Sequence, residues 1–183
     1  MNPIVAQILT IAGVLLGSAA TFVVTTLTER TRWRRAQVAR WDDKRLQAYT
    51  EYANAVKQMV RLCRRIAETK NLLHTGRPID IDTGFDELAD AETERALKWE
   101  TVLLLGASET VVAARTWHEQ VWRLEHILQE DNPDESEFVE AYKKAMRLRN
   151  EFYAHARADL NVTGGELSEL TWSSLLPPAK SQG

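Results

Sequence analysis

One stretch limits this chain more than any other: "IVAQILTIAGVLLGSAATFVVTTL", residues 4–27, twenty-four positions without an ionisable side chain, in which Gln7 is the one strongly polar residue. At 1.5 Å per residue a helix of that length reaches about 36 Å, enough to cross a hydrocarbon core of roughly 30 Å with some tilt. The expectation is a single N-terminal transmembrane helix. A cleavable signal would carry a basic segment ahead of the apolar run, whereas Asn2 and Pro3 precede it here and the positive charges follow it, so an uncleaved anchor is expected.

The charges that follow give the anchor a direction. Arg30, Arg32, Arg34, Arg35 and Arg40 come directly after the run, interleaved with Trp33 and Trp41. Arginine accumulates on the cytoplasmic side of membrane helices, and indole rings settle at the headgroup level. Each arginine near an anionic surface contributes about 1 kcal/mol. These seven residues therefore form the expected membrane boundary, with the amino terminus outside, the bulk of the chain cytoplasmic, and residues 4–41 in contact with a plasma-membrane bilayer. The rival reading, a nucleic-acid grip, fits poorly with a net charge of -3 and a pI near 5.9, because the basic cluster is local and the remainder is acidic. Nucleic acid is not an expected partner.

Within the apolar run, Gly13 and Gly17 stand in G-x-x-x-G spacing with Thr21 one further step along the same face. Small residues so placed let two helix backbones approach closely in a bilayer. They are the candidate contact for a homo-oligomer. The single cysteine, Cys63, can form no intramolecular disulfide and has no cysteine neighbour for a zinc site, which suits a reducing compartment.

From residue 28 onward the chain divides into a basic juxtamembrane segment (28–45), a helical domain (46–160) and a tail (161–183). No glycine or proline lies between Gly17 and Gly76, so a helix running on from the span as far as His74, on the order of 105 Å, meets no backbone breaker except a weak hinge at "TTLT". Leu46, Tyr49, Ala53, Val56, Val60, Cys63 and Ala67 follow alternating steps of three and four, the stripe of a bundle or coiled-coil face.

"HTGRPIDIDTG", residues 74–84, reads as a loop. A second helix is expected from about Asp86 to Leu105 with Phe85, Leu88, Ala96, Trp99 and Leu103 inward, Gly106 as its C-cap and Ser108 as the next N-cap. A third, from about Glu109 to Glu130, presents Ala114, Trp117, Val121, Leu124 and Leu128, and so short a joint implies an antiparallel hairpin. A fourth is expected with Asn132 as N-cap, Pro133 first and Glu135 third, running to about Asp159 before Gly164 and Gly165, with Phe138, Ala141, Ala145, Leu148 and Phe152 inward. The fold class is thus all-α: one transmembrane helix and an antiparallel cytoplasmic bundle of about four helices. The tail carries Leu167, Leu170, Trp172, Leu175 and Leu176, a short apolar segment expected to dock on the bundle.

Chemistry is harder to find. Di-iron bundles use Glu-x-x-His, and this chain has none. Its nearest approach is Glu151 and His155 with His118 and Glu125, better suited to solvated or salt-bridged roles. "DIDTGFDE" from Asp80 fails as a calcium loop, since the fifth, sixth and twelfth positions hold Gly84, Phe85 and Ala91. There is no nucleophile elbow and no glycine-rich phosphate loop. Neither a metal, a cofactor nor a catalytic residue is expected, and the "NVT" sequon at 161–163 has no role on a cytoplasmic side. One mixed row stands out on the third helix: Arg115, His118, Trp122 and Glu125, flanking its apolar stripe, suited to a partner helix or an anionic ligand.

The stretches "ERALKWETVLLLG" (94–106), "AARTWHEQVWRLE" (113–125) and "FYAHARADLNV" (152–162) together resemble small uncharacterised helical proteins of actinobacteria, often with one N-terminal membrane helix. The resemblance implies an all-α fold and a bacterial plasma-membrane setting, and it brings no activity, ligand or catalytic residue to any position. The sequence therefore points to a membrane-anchored interaction or scaffolding module with an unidentified protein partner. Two other classes stay open: a membrane-tethered enzyme or ligand sensor built on His118, Glu125, Glu151 and His155, and an oligomeric membrane effector.

Overall fold

The structure is a computed structural model that describes residues 40–74 and 77–162, and among these residues it is all-α, with four helices and no strand. They are α1 (residues 40–69), α2 (Ile81–Leu105), α3 (Ser108–Gln129) and α4 (Glu135–Asp159). The chain divides into two compact units, Met1–Asp43 and Lys44–Gly183, and the bundle belongs to the second. The run 4–27, the residues Gly13, Gly17, Thr21, Arg30, Arg32, Trp33, Arg34 and Arg35, and the tail beyond Val162 lie outside the described residues. No helix among the described residues is long and apolar enough to cross a membrane.

Helix α1 is the centre of the bundle because its apolar residues cover more than one face. Tyr49, Ala53, Val56, Val60, Cys63 and Ala67 are buried as the heptad stripe requires, and Tyr52, Met59, Leu62 and Ile66 are buried beside them. Leu46, at the start of the expected stripe, is instead exposed. With two adjacent faces apolar, α1 touches all three other helices. It pairs antiparallel with α2 (Arg45 with Leu105, Glu51 with Lys98, Ile66 with Gly84), lies parallel to α3 (Tyr52 with Ala114, Lys70 with Glu130) and meets α4 antiparallel (Tyr49 with Asp159, Arg64 with Tyr142). The connectivity is up-down-up-down.

The helix ends follow side-chain chemistry that the sequence pattern misplaced in part. Helix α1 stops at residue 69, short of His74, because Asn71 takes a left-handed conformation (φ 60°); the Leu72 N–H bonds the Ala67 carbonyl and the Asn71 N–H that of Glu68, a Schellman cap. The same cap ends α4 at Asn161 (φ 53°), ahead of the two glycines expected to do so. Asparagine tolerates this region better than other residues with a side chain. Helix α2 starts at Ile81, five positions before the expected Asp86, since the Asp80 carboxylate accepts the Thr83 N–H at 3.0 Å.

Gly84 is therefore inside a helix and not in a loop. A Cβ there would meet Ile66 Cγ1 at 2.7 Å, so its lack of a side chain lets α2 approach α1. The N-cap of α4 is Asp134, whose carboxylate takes the Glu137 N–H at 2.8 Å, two residues after the expected Asn132. Ala107, not Ser108, occupies the cap position of α3. Gly106 is the C-cap of α2 as expected, with an ordinary backbone (φ -80°), and serves by closeness: a Cβ would lie 2.8 Å from the Val102 carbonyl.

The inward residues of α3 are all five of those the stripe selected, and on α4 Leu148 alone of the five is only half-buried. On α2 the face is turned. Gly84, Leu88, Ala91, Arg95 and Val102 are buried, Phe85 and Trp99 half-buried, while Ala96 and Leu103 point outward together with Leu97 and Leu104.

Candidate functional site: a tryptophan-rimmed cleft over a buried ion pair

The turned face of α2 creates the site. Helices α3 and α4 pack closely along their length, whereas α2 and α3 make few close backbone approaches. What bridges them is a side-chain cluster. Arg95, 7 % exposed, is the most unusual residue of the core, and its Nε and Nη2 donate to the two oxygens of Glu92 at 2.8 and 2.7 Å. This bidentate geometry is the one in which a buried guanidinium is best satisfied. The second partner of Glu92 comes from α3, where His118 Nε2 lies 3.0 Å from its Oε2.

The electrostatics set the protonation states. Burial pushes the Glu92 carboxyl up, but hydrogen bonds from Arg95 and the pull of His118 hold it below the usual carboxylate range. Burial, with the Arg95 charge beside it, holds the His118 imidazole below its usual value, against the opposite pull of Glu92. At neutral pH the imidazole is uncharged, and because an ionised carboxylate can only accept, Nε2 carries the proton and donates it. Glu125, two turns further on α3, is raised by burial and by the Glu92 charge.

Above this cluster lies a cleft of about 220 Å³ lined by Tyr52, Arg95, Trp99, Arg115, His118, Glu119 and Trp122. The Tyr52 hydroxyl donates to the Ala114 carbonyl at 2.9 Å, and its ring lies 5.6 Å from that of Trp99. The rings of His118 and Trp122 are 4.2 Å apart, and the Arg115 guanidinium stands 6.0 Å above Trp99. Trp122 and Arg115 are exposed at the rim while His118 forms the floor.

The row read from the sequence is thus only partly one site. Arg115, His118 and Trp122 line the cleft, while half-buried Glu125 lies outside the lining and accepts from Gln129 at 3.2 Å. The grouping of His118 and Glu125 with Glu151 and His155 does not form: the last two are exposed on α4, and the partner of His118 is Glu92 on α2. No group of three or more His, Cys, Asp or Glu among the described residues is placed to hold a metal ion. Of the boundary residues, Arg40 and Trp41 are described, both helical and exposed.

Glu92, Arg95 and Tyr52 were not selected from the sequence. The Glu92/Arg95 spacing of three is also that of any solvated helix pair, and nothing in a helical pattern marks an arginine as buried. No protein family, curated protein or solved structure matches this chain. Fold and site together define an all-α bundle with a structured cleft between α2 and α3, and function is argued from that cleft.

Proposed function

We propose that the chain is a membrane-anchored interaction module whose bundle receives a side chain of a partner protein in the cleft between α1, α2 and α3. In this reading residues 4–27 are the anchor, the arginine and tryptophan segment up to Trp41 marks the cytoplasmic boundary, and the bundle is cytoplasmic. Gly13, Gly17 and Thr21 provide a self-pairing face. No catalytic step or cofactor is part of it.

The observation that carries the reading is the size and lining of the cleft. At about 220 Å³ it is smaller than the roughly 300–1,000 Å³ of sites that enclose a small-molecule ligand, yet it accommodates one inserted side chain. Tryptophan and arginine at its rim are the residue types that most often dominate binding energy at protein interfaces. The His118 floor, held by Glu92, supplies a fixed polar contact beneath an aromatic rim.

The experiment is gentle detergent extraction of the tagged full chain from its membrane, followed by cross-linking and mass spectrometry, in parallel with Arg115→Ala/Trp122→Ala. Both residues are exposed, so the double variant keeps its fold. A stoichiometric partner that cross-links through α2 or α3 and is lost in the variant supports the proposal. Recovery of the chain alone, or of the same partner with both forms, refutes the role given to the cleft. Recovery in the soluble fraction refutes the anchor.

A further inference from the structure

A second cavity, independent of the cleft and of the membrane reading, is lined among the described residues by Arg61, Arg64, Arg65 and Arg77. Its volume is about 480 Å³. In a chain of net charge -3, such a concentration of one sign in one concave place needs a reason. Arginines near the end of a helix also offset its dipole, which accounts for Arg64 and Arg65 in the last turns of α1. It does not account for Arg61, two turns before the end, or for Arg77 on the following segment.

Two contacts fix the walls of the cavity. Thr69 Oγ1 donates to the Ile79 carbonyl at 2.6 Å and accepts the Ile79 N–H at 3.1 Å, which pins the segment carrying Arg77 against the end of α1. Ile79 is itself buried. The Arg64 guanidinium stands 5.7 Å over the Tyr142 ring. Three of the four charges are incompletely answered among the described residues: Glu87 lies 3.7 Å from Arg65, too far for a hydrogen bond, and Arg61 and Arg77 have no side-chain hydrogen bond or ion pair there.

We infer that this cavity binds a small anion carrying two or more phosphate groups. All four cationic side chains are arginine, whose planar fork matches phosphate oxygens two at a time, and the volume lies within the range of small-ligand sites. A concave pocket of four guanidinium groups suits a compact polyanion better than an extended strand. The same chemistry is present in a phosphate-bearing lipid headgroup.

The test uses the full chain in neutral detergent, titrated calorimetrically with inorganic pyrophosphate in one arm and with dioctanoyl phosphatidylinositol bisphosphate, whose headgroup carries more than one phosphate, in another. Arg61→Gln/Arg77→Gln removes two charges with no partner among the described residues, and Lys144→Gln/Arg147→Gln removes two exposed charges on α4 as a matched control. The expected result is saturable pyrophosphate binding, weakened about tenfold or more in the first variant and unchanged in the second. Saturable binding of the lipid in place of pyrophosphate, with the same variant pattern, supports the site and assigns the headgroup as its source. Absence of saturable binding in both arms, or equal weakening in both variants, overturns it.

Discussion

Replacing Gly84 with alanine isolates the contact on which the α1/α2 pairing depends. In a helix the change ordinarily stabilises by about 0.5–1 kcal/mol, because glycine has more backbone freedom to lose. Here the new methyl would lie 2.7 Å from Ile66 Cγ1, 3.0 Å from Ile79 Cγ2 and 3.2 Å from Ile66 Cδ1. Carbon atoms rest about 3.5–4.0 Å apart, so the helices must separate by several tenths of an ångström or Ile66 must leave its rotamer. Ile66 is fully buried, and overpacking of this kind costs about 1–3 kcal/mol. The net expectation is a loss of about 1–2 kcal/mol, or about 3–10 °C in Tm for a bundle of this size.

Thermal and urea unfolding of the full chain in neutral detergent, followed by circular dichroism, measures it. Ile66→Ala alone should cost about 2–5 kcal/mol. In Gly84→Ala/Ile66→Ala the obstructing carbon is gone, so the double variant should be more stable than the two losses added, by about 1–2 kcal/mol. A Gly84→Ala protein that melts higher than wild type, or a double variant whose losses simply add, would refute the close approach and the packing of α2 on α1 drawn from it.

Three further outcomes follow from the same contacts. Asp159 accepts from the Tyr49 hydroxyl, accepts the Ala107 N–H at 3.2 Å and pairs with Arg45 at 3.8 Å, so Asp159→Ala should lose about 2–4 kcal/mol and Tyr49→Phe about 1 kcal/mol in urea unfolding. For His118 the folded imidazole titrates below its unfolded value of about 6.5, so its contribution to stability is present above that pH and is lost as pH falls through the folded value. Tm should therefore drop between pH 7 and 5, and drop less in His118→Gln; the raised Glu125 acts with the opposite sign in both proteins and cancels from the comparison. Burial pushes the Cys63 thiol far above the usual range and leaves it fully enclosed, so a thiol reagent should label the native chain no faster than it unfolds and at once in denaturant.

What the sequence made legible was the burial of α3, and what it concealed was that of α2, for one physical reason. Along α3 the buried positions are all apolar or flanked by apolar neighbours, so the 3.6-residue period points at the core unambiguously. Along α2 the buried row includes Gly84 and Arg95 while Leu97, Leu103 and Leu104 are outside, so a reading that follows hydrophobicity turns the helix the wrong way. Arg95 can be buried because Glu92, one turn earlier on the same helix, accepts from its Nε and Nη2, and the spacing of three that this requires is shared with every solvated helix pair; the contact that marks the site, His118 to Glu92, runs between helices and is encoded by no spacing. Caps failed similarly: Asp80 and Asp134 compete with nearby asparagine, proline and glycine that carry the same local signals.

Cleft and buried pair have a common origin in that displaced row. Gly84, in the buried row of α2, lets that end of the helix lean on Ile66 of α1. Facing α3 it offers Glu92 and Arg95, which need polar partners and find His118. An apolar residue at 118 would leave Glu92 Oε2 with its Arg95 bond alone, and the loss of a hydrogen bond to a charged group costs about 1.5–3 kcal/mol. The polar bridge therefore joins α2 to α3 at one level without drawing their backbones together, and the gap above it is the cleft in which Trp99, Arg115 and Trp122 stand around His118. The ion pair is thus the spacer that keeps the site open, and the rim residues can change without loss of the bundle, whereas loss of Glu92 alone leaves the buried Arg95 guanidinium without its carboxylate partner.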